Sequence, residues 1–136
     1  MSKSGRSFDL TVLPGAFAIV RLAPDTPLPR WAARGEFFSV TRTSDELSIV
    51  CAEDHVPRGA APETGWRALK VTGPFALSEI GVLAALAVPL AEAKVSLFAI
   101  STFDTDYLLV SEKQLNAGIA ALKGAGHRIR QNSALS

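Results

Sequence analysis

The stretch GPFALSEIGVLAALAVPLAEAKVSLFAISTFDTDYLLV, residues 73–110, decides the fold of this chain. Gly73-Pro74 breaks whatever precedes it, because proline lacks a backbone donor and restricts its neighbour. Ser78 reads as a helix N-cap, with Glu79 placed to favour the helix dipole. Leu83, Leu86, Ala87 and Leu90 then recur at helical spacing as one apolar stripe, and Pro89 is expected to kink the helix or restart it near its last turns. Residues 95–101 come next as a strand with Val95, Leu97 and Ala99 on one face and Phe98 and Ile100 on the other. Residues 102–106, TFDTD, form a hairpin connection into a second strand at 107–110.

Outward from this stretch the pattern continues. Ser111 and Gln114 match a capping box, Leu115, Ile119 and Leu122 line one helix face, and Gly124 ends it. Upstream, residues 66–71 read as a strand. The second half of the chain therefore reads β, α, β, β, α. The first half is richer in strand. Residues 8–13, 17–22, 37–42 and 47–52 read as strands, with a Pro14-Gly15 turn and a tight turn at 43–46. Pro24, Pro27 and Pro29 exclude a regular helix before residue 29, leaving at most a helical turn at 30–34 closed by Gly35. Residues 54–65 carry Pro57, Gly59, Pro62 and Gly65 and read as a linker. Residues 1–7 are polar and are expected to be disordered.

Hairpins with intervening helices, without strict βαβα alternation, imply an α+β fold with antiparallel sheets and helices on one face. A sheet covered on one face only should alternate polar and apolar side chains, and the strands at 95–110 do not. A second sheet or another subunit is thus expected against the uncovered face.

Composition narrows the function. Fourteen basic and thirteen acidic residues give a formal charge of +1, which supplies no strong field for nucleic acid or an anionic membrane. The basic residues near the C-terminus, Lys123, His127, Arg128 and Arg130, lack interleaved aromatics and read as a solvated end. One cysteine, Cys51, excludes an intrachain disulfide and a CxxC metal site, and its apolar strand favours a core residue over a reactive thiol. No signal-peptide pattern and no apolar run of spanning length is visible, so a cytoplasmic protein is expected. His55 and His127 fall in loop and tail and read as surface residues, without a serine, cysteine and carboxylate arrangement for nucleophile activation. Neither GxxxxGK[ST] nor GxGxxG occurs. Trp31 and Trp66 suit core or interface anchors better than ligand platforms.

Asp104 and Asp106 sit two apart in the hairpin. They could serve a cation or acid–base chemistry, but aspartates also favour turns because they bond nearby amides. The arrangement gains meaning beside the helix start at 76–84. Free amides at a helix N-terminus suit a carboxylate, and acidic side chains suit a cation. Together they are complementary to an α-amino acid.

The glycine-containing helix start (Glu79, Gly81, Val82), the PLAEA segment 89–93, the SLFAIST strand and the TFxTD hairpin resemble repeats of the ACT-domain family. The similarity is to small bacterial tandem-ACT proteins and to the repeats of the CASTOR arginine sensors. ELSIVC at 46–51, with the preceding FFSVTRT, fits the bacterial branch, and the resemblance covers most of residues 10–123. It implies two ACT-like, ferredoxin-like βαββαβ modules, 8–62 and 63–130. It further implies a non-catalytic regulatory protein that binds a small molecule, an amino acid by the charge argument above, at a module or subunit interface. A homodimer and a separate regulated partner protein belong to that picture; a cofactor, a metal and catalytic residues do not. Carried over by position, the ligand contacts are Ser78, Glu79, Gly81, Val82 and Leu83 from the helix start, and Thr102, Phe103 and Asp106 from the hairpin. Glu79 and Asp106 would face a positive group, and the amides near Val82 and Leu83 a carboxylate. Two other classes stand beside this one. One is a structural interaction module with no working ligand site. The other is a small enzyme using Asp104, Asp106 and Glu79, for which no nucleophile or full ligand set is in view. The prolines of the first module place the expected site in the second.

Overall fold

The computed structural model describes residues 6–131. The expectation of disorder at 1–7 therefore lies mostly outside the described residues; Arg6 and Ser7 are described and make defined contacts. The chain divides into two compact units, 1–14 with 67–136, and 15–66. This partition differs from the expected modules 8–62 and 63–130 at the first strand, β1 (Asp9–Val12), which is hydrogen-bonded within the unit formed by 67–136.

The unit 15–66 contains β2 (Phe17–Leu22), β3 (Ser39–Arg42), β4 (Leu47–Ala52) and the start of β5 (Glu63–Val71), in the order β3–β4–β2–β5. Its register is antiparallel, with Ala18 opposite Cys51, Val20 opposite Ile49 and Leu22 opposite Leu47. These side chains share one face. All but Leu22 form a small core with Ala32, against which Leu22, Trp31 and Val40 pack. No α-helix forms here among the described residues. The expected turn at 30–34 is a 3-10 turn over Arg30–Ala33, and the linker holds two more, Glu53–His55 and Arg58–Ala60. The proline segment is held instead by Arg42, whose guanidinium donates to the carbonyls of Pro24 and Thr26. At the turn 43–46 the Thr43 hydroxyl accepts from the amides of Asp45 and Glu46, the local side-chain bonding that favours threonine in turns.

The other unit has the strand order β6–β7–β5–β1–β8, with β6 (Phe98–Ser101), β7 (Asp106–Ser111) and β8 (Arg128–Gln131). Helices α1 (Val82–Glu92) and α2 (Leu115–Gly124) pack over Leu10, Val12, Leu69, Val71, Leu108 and Val110. Leu10 lies opposite Val71 and Val12 opposite Leu69, so alternation puts all four on the helix side. Gly118 sits where α2 meets α1: a Cβ there would make ordinary contact with Leu90 Cδ2 at 3.5 Å. The result is an α+β, ferredoxin-like arrangement with helices on one face, as the sequence implies.

Three local expectations are corrected. The tail around Arg128 is solvent-exposed, as expected of a solvated end, but it is also strand β8, parallel to β1, with Arg128 paired to Asp9 at 2.5 Å. Gln114 does not complete a capping box with Ser111; its side chain accepts from the Ser96 amide and donates to the Lys94 carbonyl, closing the loop after α1. His127 is not at the surface but 5% exposed. Its Nδ1 accepts from the buried Phe8 amide at 3.1 Å, and its Nε2 lies 3.3 Å from the Ala85 carbonyl in α1. That carbonyl is the one Pro89, four residues on and without an N–H, cannot bond. The helix continues through Pro89, and with Nδ1 accepting from Phe8 the Nε2 of His127 is left to donate to that carbonyl.

Candidate functional site

The loop that enters α1 and the hairpin between β6 and β7 form the two walls of a cleft of about 350 Å³. The loop does not reach the helix as the sequence suggested. Ser78 caps nothing; the residue before the helix is Gly81, in the left-handed conformation at φ 86° that glycine adopts without steric cost. The first helical hydrogen bond runs from the Ala85 amide to the Gly81 carbonyl at 3.0 Å. Among the described residues no side chain caps the start, and Gly81, Val82, Leu83 and Ala84 line the cleft at the positive end of the helix dipole.

The hairpin is fastened to the foot of the loop. The Thr102 amide donates to the Thr105 carbonyl at 2.8 Å, and the Thr102 hydroxyl accepts from the Thr105 amide at 3.2 Å. Thr105 is buried, and its hydroxyl donates to the Val71 carbonyl at 2.6 Å. The Phe75 amide donates to the Asp104 carbonyl at 2.8 Å. This approach demands a glycine at residue 73, where a Cβ would stand 2.9 Å from that same carbonyl and 3.2 Å from Thr105 Cβ. The Asp106 carboxylate accepts from the Ser101 hydroxyl.

Of the residues expected to contact a ligand, Glu79, Gly81, Val82, Leu83, Thr102, Phe103 and Asp106 line this cleft; Ser78 lies in the same loop but not on its wall. Phe75, Ser101, Asp104 and Thr105 join them. Asp104 was legible as half of a carboxylate pair; Phe75 carried no signal, since a lone aromatic after a Gly-Pro break reads as core. Glu79, Asp104 and Asp106 give the walls three carboxylates against one uncapped helix start. Glu79 is already engaged: Arg6 Nη2 lies 2.5 Å from its carboxylate, and Arg6 Nη1 donates to the Ile80 carbonyl at 2.8 Å. The rim is apolar, with Leu77 72%, Ile80 84% and Phe103 76% exposed. Among the described residues no cluster of three His, Cys, Asp or Glu side chains is arranged to hold a metal, and no helix is long and apolar enough to cross a membrane.

The family model of the ACT domain matches residues 62–124, and a model described as an N-terminal domain matches residues 15–59. A bovine protein named cytosolic arginine sensor for mTORC1 subunit 1 is 33% identical over 106 residues, which are 70% of this chain and 32% of that protein. The chain thus spans about a third of that relative. A solved structure of a protein from Agrobacterium tumefaciens is 38% identical, superposes with a TM-score of 0.89, and matches 94% of this chain and 96% of its own. The regulatory subunit of aspartate kinase from Thermus thermophilus shares the fold at a TM-score of 0.59 and 11% identity, over 86% of this chain and 96% of its own. From the matched residues, the shared fold and the motifs at 73–110, the chain belongs to the ACT-domain family.

Proposed function

We propose that this protein is a non-catalytic, amino-acid-binding regulatory ACT protein of the cytoplasm, and that its ligand lies in the cleft between the start of α1 and the β6–β7 hairpin. The observation that carries this reading is the opposition of an uncapped helix start to acidic side chains across one cleft. The helix amides take the α-carboxylate, and Asp104 and Asp106 take the α-ammonium group. Val82, Leu83 and Phe103 supply the apolar contact that a small-molecule site uses for most of its area. The similarity to a relative named as an arginine sensor, and to a regulatory subunit of aspartate kinase, supports a regulatory role acting on a separate protein.

A thermal-shift screen against the twenty amino acids tests this directly. A ligand that binds only the folded chain adds about 2.7 kcal/mol at a hundredfold excess over its Kd. One hit is expected, and Asp106→Ala should abolish it while leaving the melting temperature of the free protein nearly unchanged. No hit at millimolar concentration would sink the reading.

A second reading rests on the exposed rim. Leu77, Ile80 and Phe103 form the kind of apolar border that marks an interaction surface, and a second copy of the chain would close the cleft by covering it. Under that reading the protein is a homodimer whose assembly survives Asp106→Ala. A monomer at micromolar concentration in analytical ultracentrifugation would exclude it.

A further inference from the structure

Residues 6–8 make a set of contacts that the cleft's own residues do not explain. The Ser7 hydroxyl donates to the Gly126 carbonyl, the Phe8 amide donates to His127, and the Phe8 ring stacks on the His127 ring with centroids 5.7 Å apart. Phe8 also meets Phe75, a cleft residue, edge to face at 5.8 Å. From this anchorage Arg6 extends along the loop before α1. Its guanidinium lies 4.9 Å from the Phe8 ring centroid, which limits its freedom, and its two terminal nitrogens divide between the Glu79 carboxylate and the Ile80 carbonyl. Glu79 faces the cleft. Among the described residues of the cleft wall there is no lysine or arginine, so Arg6 is the cation that balances this carboxylate.

We propose that Arg6 is a specificity-determining residue of the cleft: an internal counter-ion that keeps Glu79 engaged and so weakens selection for ligands with a second positive charge. The inference rests on the cleft being an amino-acid site. A zwitterion needs one cation-accepting corner, and Asp104 with Asp106 supplies it on the hairpin side. A free Glu79 would add a second such corner on the loop side and draw in a cationic side chain. With Arg6 in place that corner is occupied by a guanidinium tethered through Ser7 and Phe8, and a cationic ligand must displace it. A neutral ligand has no such displacement to make.

The test is calorimetric binding of two matched pairs, L-arginine against L-citrulline and L-lysine against L-norleucine, to the full chain and to Arg6→Gln, Arg6→Lys and Glu79→Gln. Each pair keeps length and changes charge. Arg6→Gln should raise the cationic-to-neutral affinity ratio by about 1.5- to 5-fold, the range of a partly exposed ion pair. High salt should erase much of the gain. Arg6→Lys should restore the native ratio, because it restores the charge. Glu79→Gln should move the ratio the other way, since it leaves Arg6 without its partner beside the cleft. Equal loss of affinity for both members of a pair in Arg6→Gln would show a merely structural strap and overturn the proposal, as would a ratio unchanged in both Arg6→Gln and Glu79→Gln. If none of the four probes binds any of the proteins while another amino acid gives a hit in the thermal-shift screen, this inference falls and the cleft reading stands; if no amino acid binds at all, both fall.

Discussion

The unit 15–66 and the unit containing α1 and α2 begin from comparable strands and end differently. In the first, Ala18, Val20, Leu47, Ile49 and Cys51 make a sheet face as well buried as that of the second. The two units diverge where the strand ends. Beyond β2 the chain meets Pro24, Pro27 and Pro29 and yields one 3-10 turn; beyond β5 it meets Gly73-Pro74, a loop, and then an eleven-residue helix. A 3-10 turn of four residues sums few peptide dipoles and presents no row of free amides, whereas α1 does both. The difference teaches that the sheet alone does not make the cleft. It takes a helix whose first turn is left uncapped, and a hairpin held at the right distance from it.

Glycine substitution breaks the comparison hardest. Gly73→Ala is expected to cost about 2–3 kcal/mol, because the new Cβ meets the Asp104 carbonyl and forces the hairpin off the loop. Gly59→Ala, in the other unit, meets nothing within 4 Å, and is expected to be neutral or slightly stabilising. Thermal melting of the two variants reads the contrast; equal melting temperatures would mean that the hairpin is not held where it stands.

The histidines give a smaller effect in the same direction. His127→Ala strands the buried Phe8 amide and the Ala85 carbonyl, at a cost of about 1–3 kcal/mol by chemical denaturation. His55→Ala removes a ring whose Nδ1 has no hydrogen-bond partner among the described residues, so it should cost less than His127→Ala. The reverse order would refute the role given to His127.

The smallest expected effect concerns pH. The Arg128 guanidinium bonded to Asp9 holds its carboxyl below the ordinary value of 3.8. A carboxyl whose folded pKa is lowered stabilises the fold above its unfolded pKa, and that contribution is lost as pH falls through the folded value. Asp9→Asn should therefore leave stability nearly unchanged relative to the parent below that range and lower it slightly at neutral pH, because the pair is solvent-exposed. The same loss at both pH values would exclude the ion pair as its cause.

Much of this was legible because local pattern and tertiary demand agreed. Residues 17–22 and 47–52 read as strands in the sequence and emerge with those bounds; Leu115, Ile119 and Leu122 line the buried face of α2. Two of the misreadings share one cause, a partner far away in the chain. β8 looks like a charged tail because its pairing with β1 spans nearly the whole sequence. His127 looks exposed because the groups that satisfy it come from residues 8 and 85. Ser78 looks like a cap because cap rules weigh residue type, while the chain enters α1 through a left-handed Gly81 instead. The cleft residues Glu79, Gly81, Val82, Leu83, Thr102, Phe103 and Asp106 were found by motif, but Arg6 was invisible: nothing in a polar leading segment indicates that it folds back onto residue 79.

Pro89 and His127 also bear on how this sequence can drift. As long as residue 89 has no N–H, the Ala85 carbonyl needs a donor from elsewhere, and residue 127 is held to a side chain that can reach it. A lineage that replaces the proline restores the donor within the helix and relaxes that hold on position 127. A lineage that first loses the histidine leaves a polar atom of α1 without its partner. The two positions are therefore coupled through one carbonyl, while the Phe8 amide keeps its own demand on residue 127.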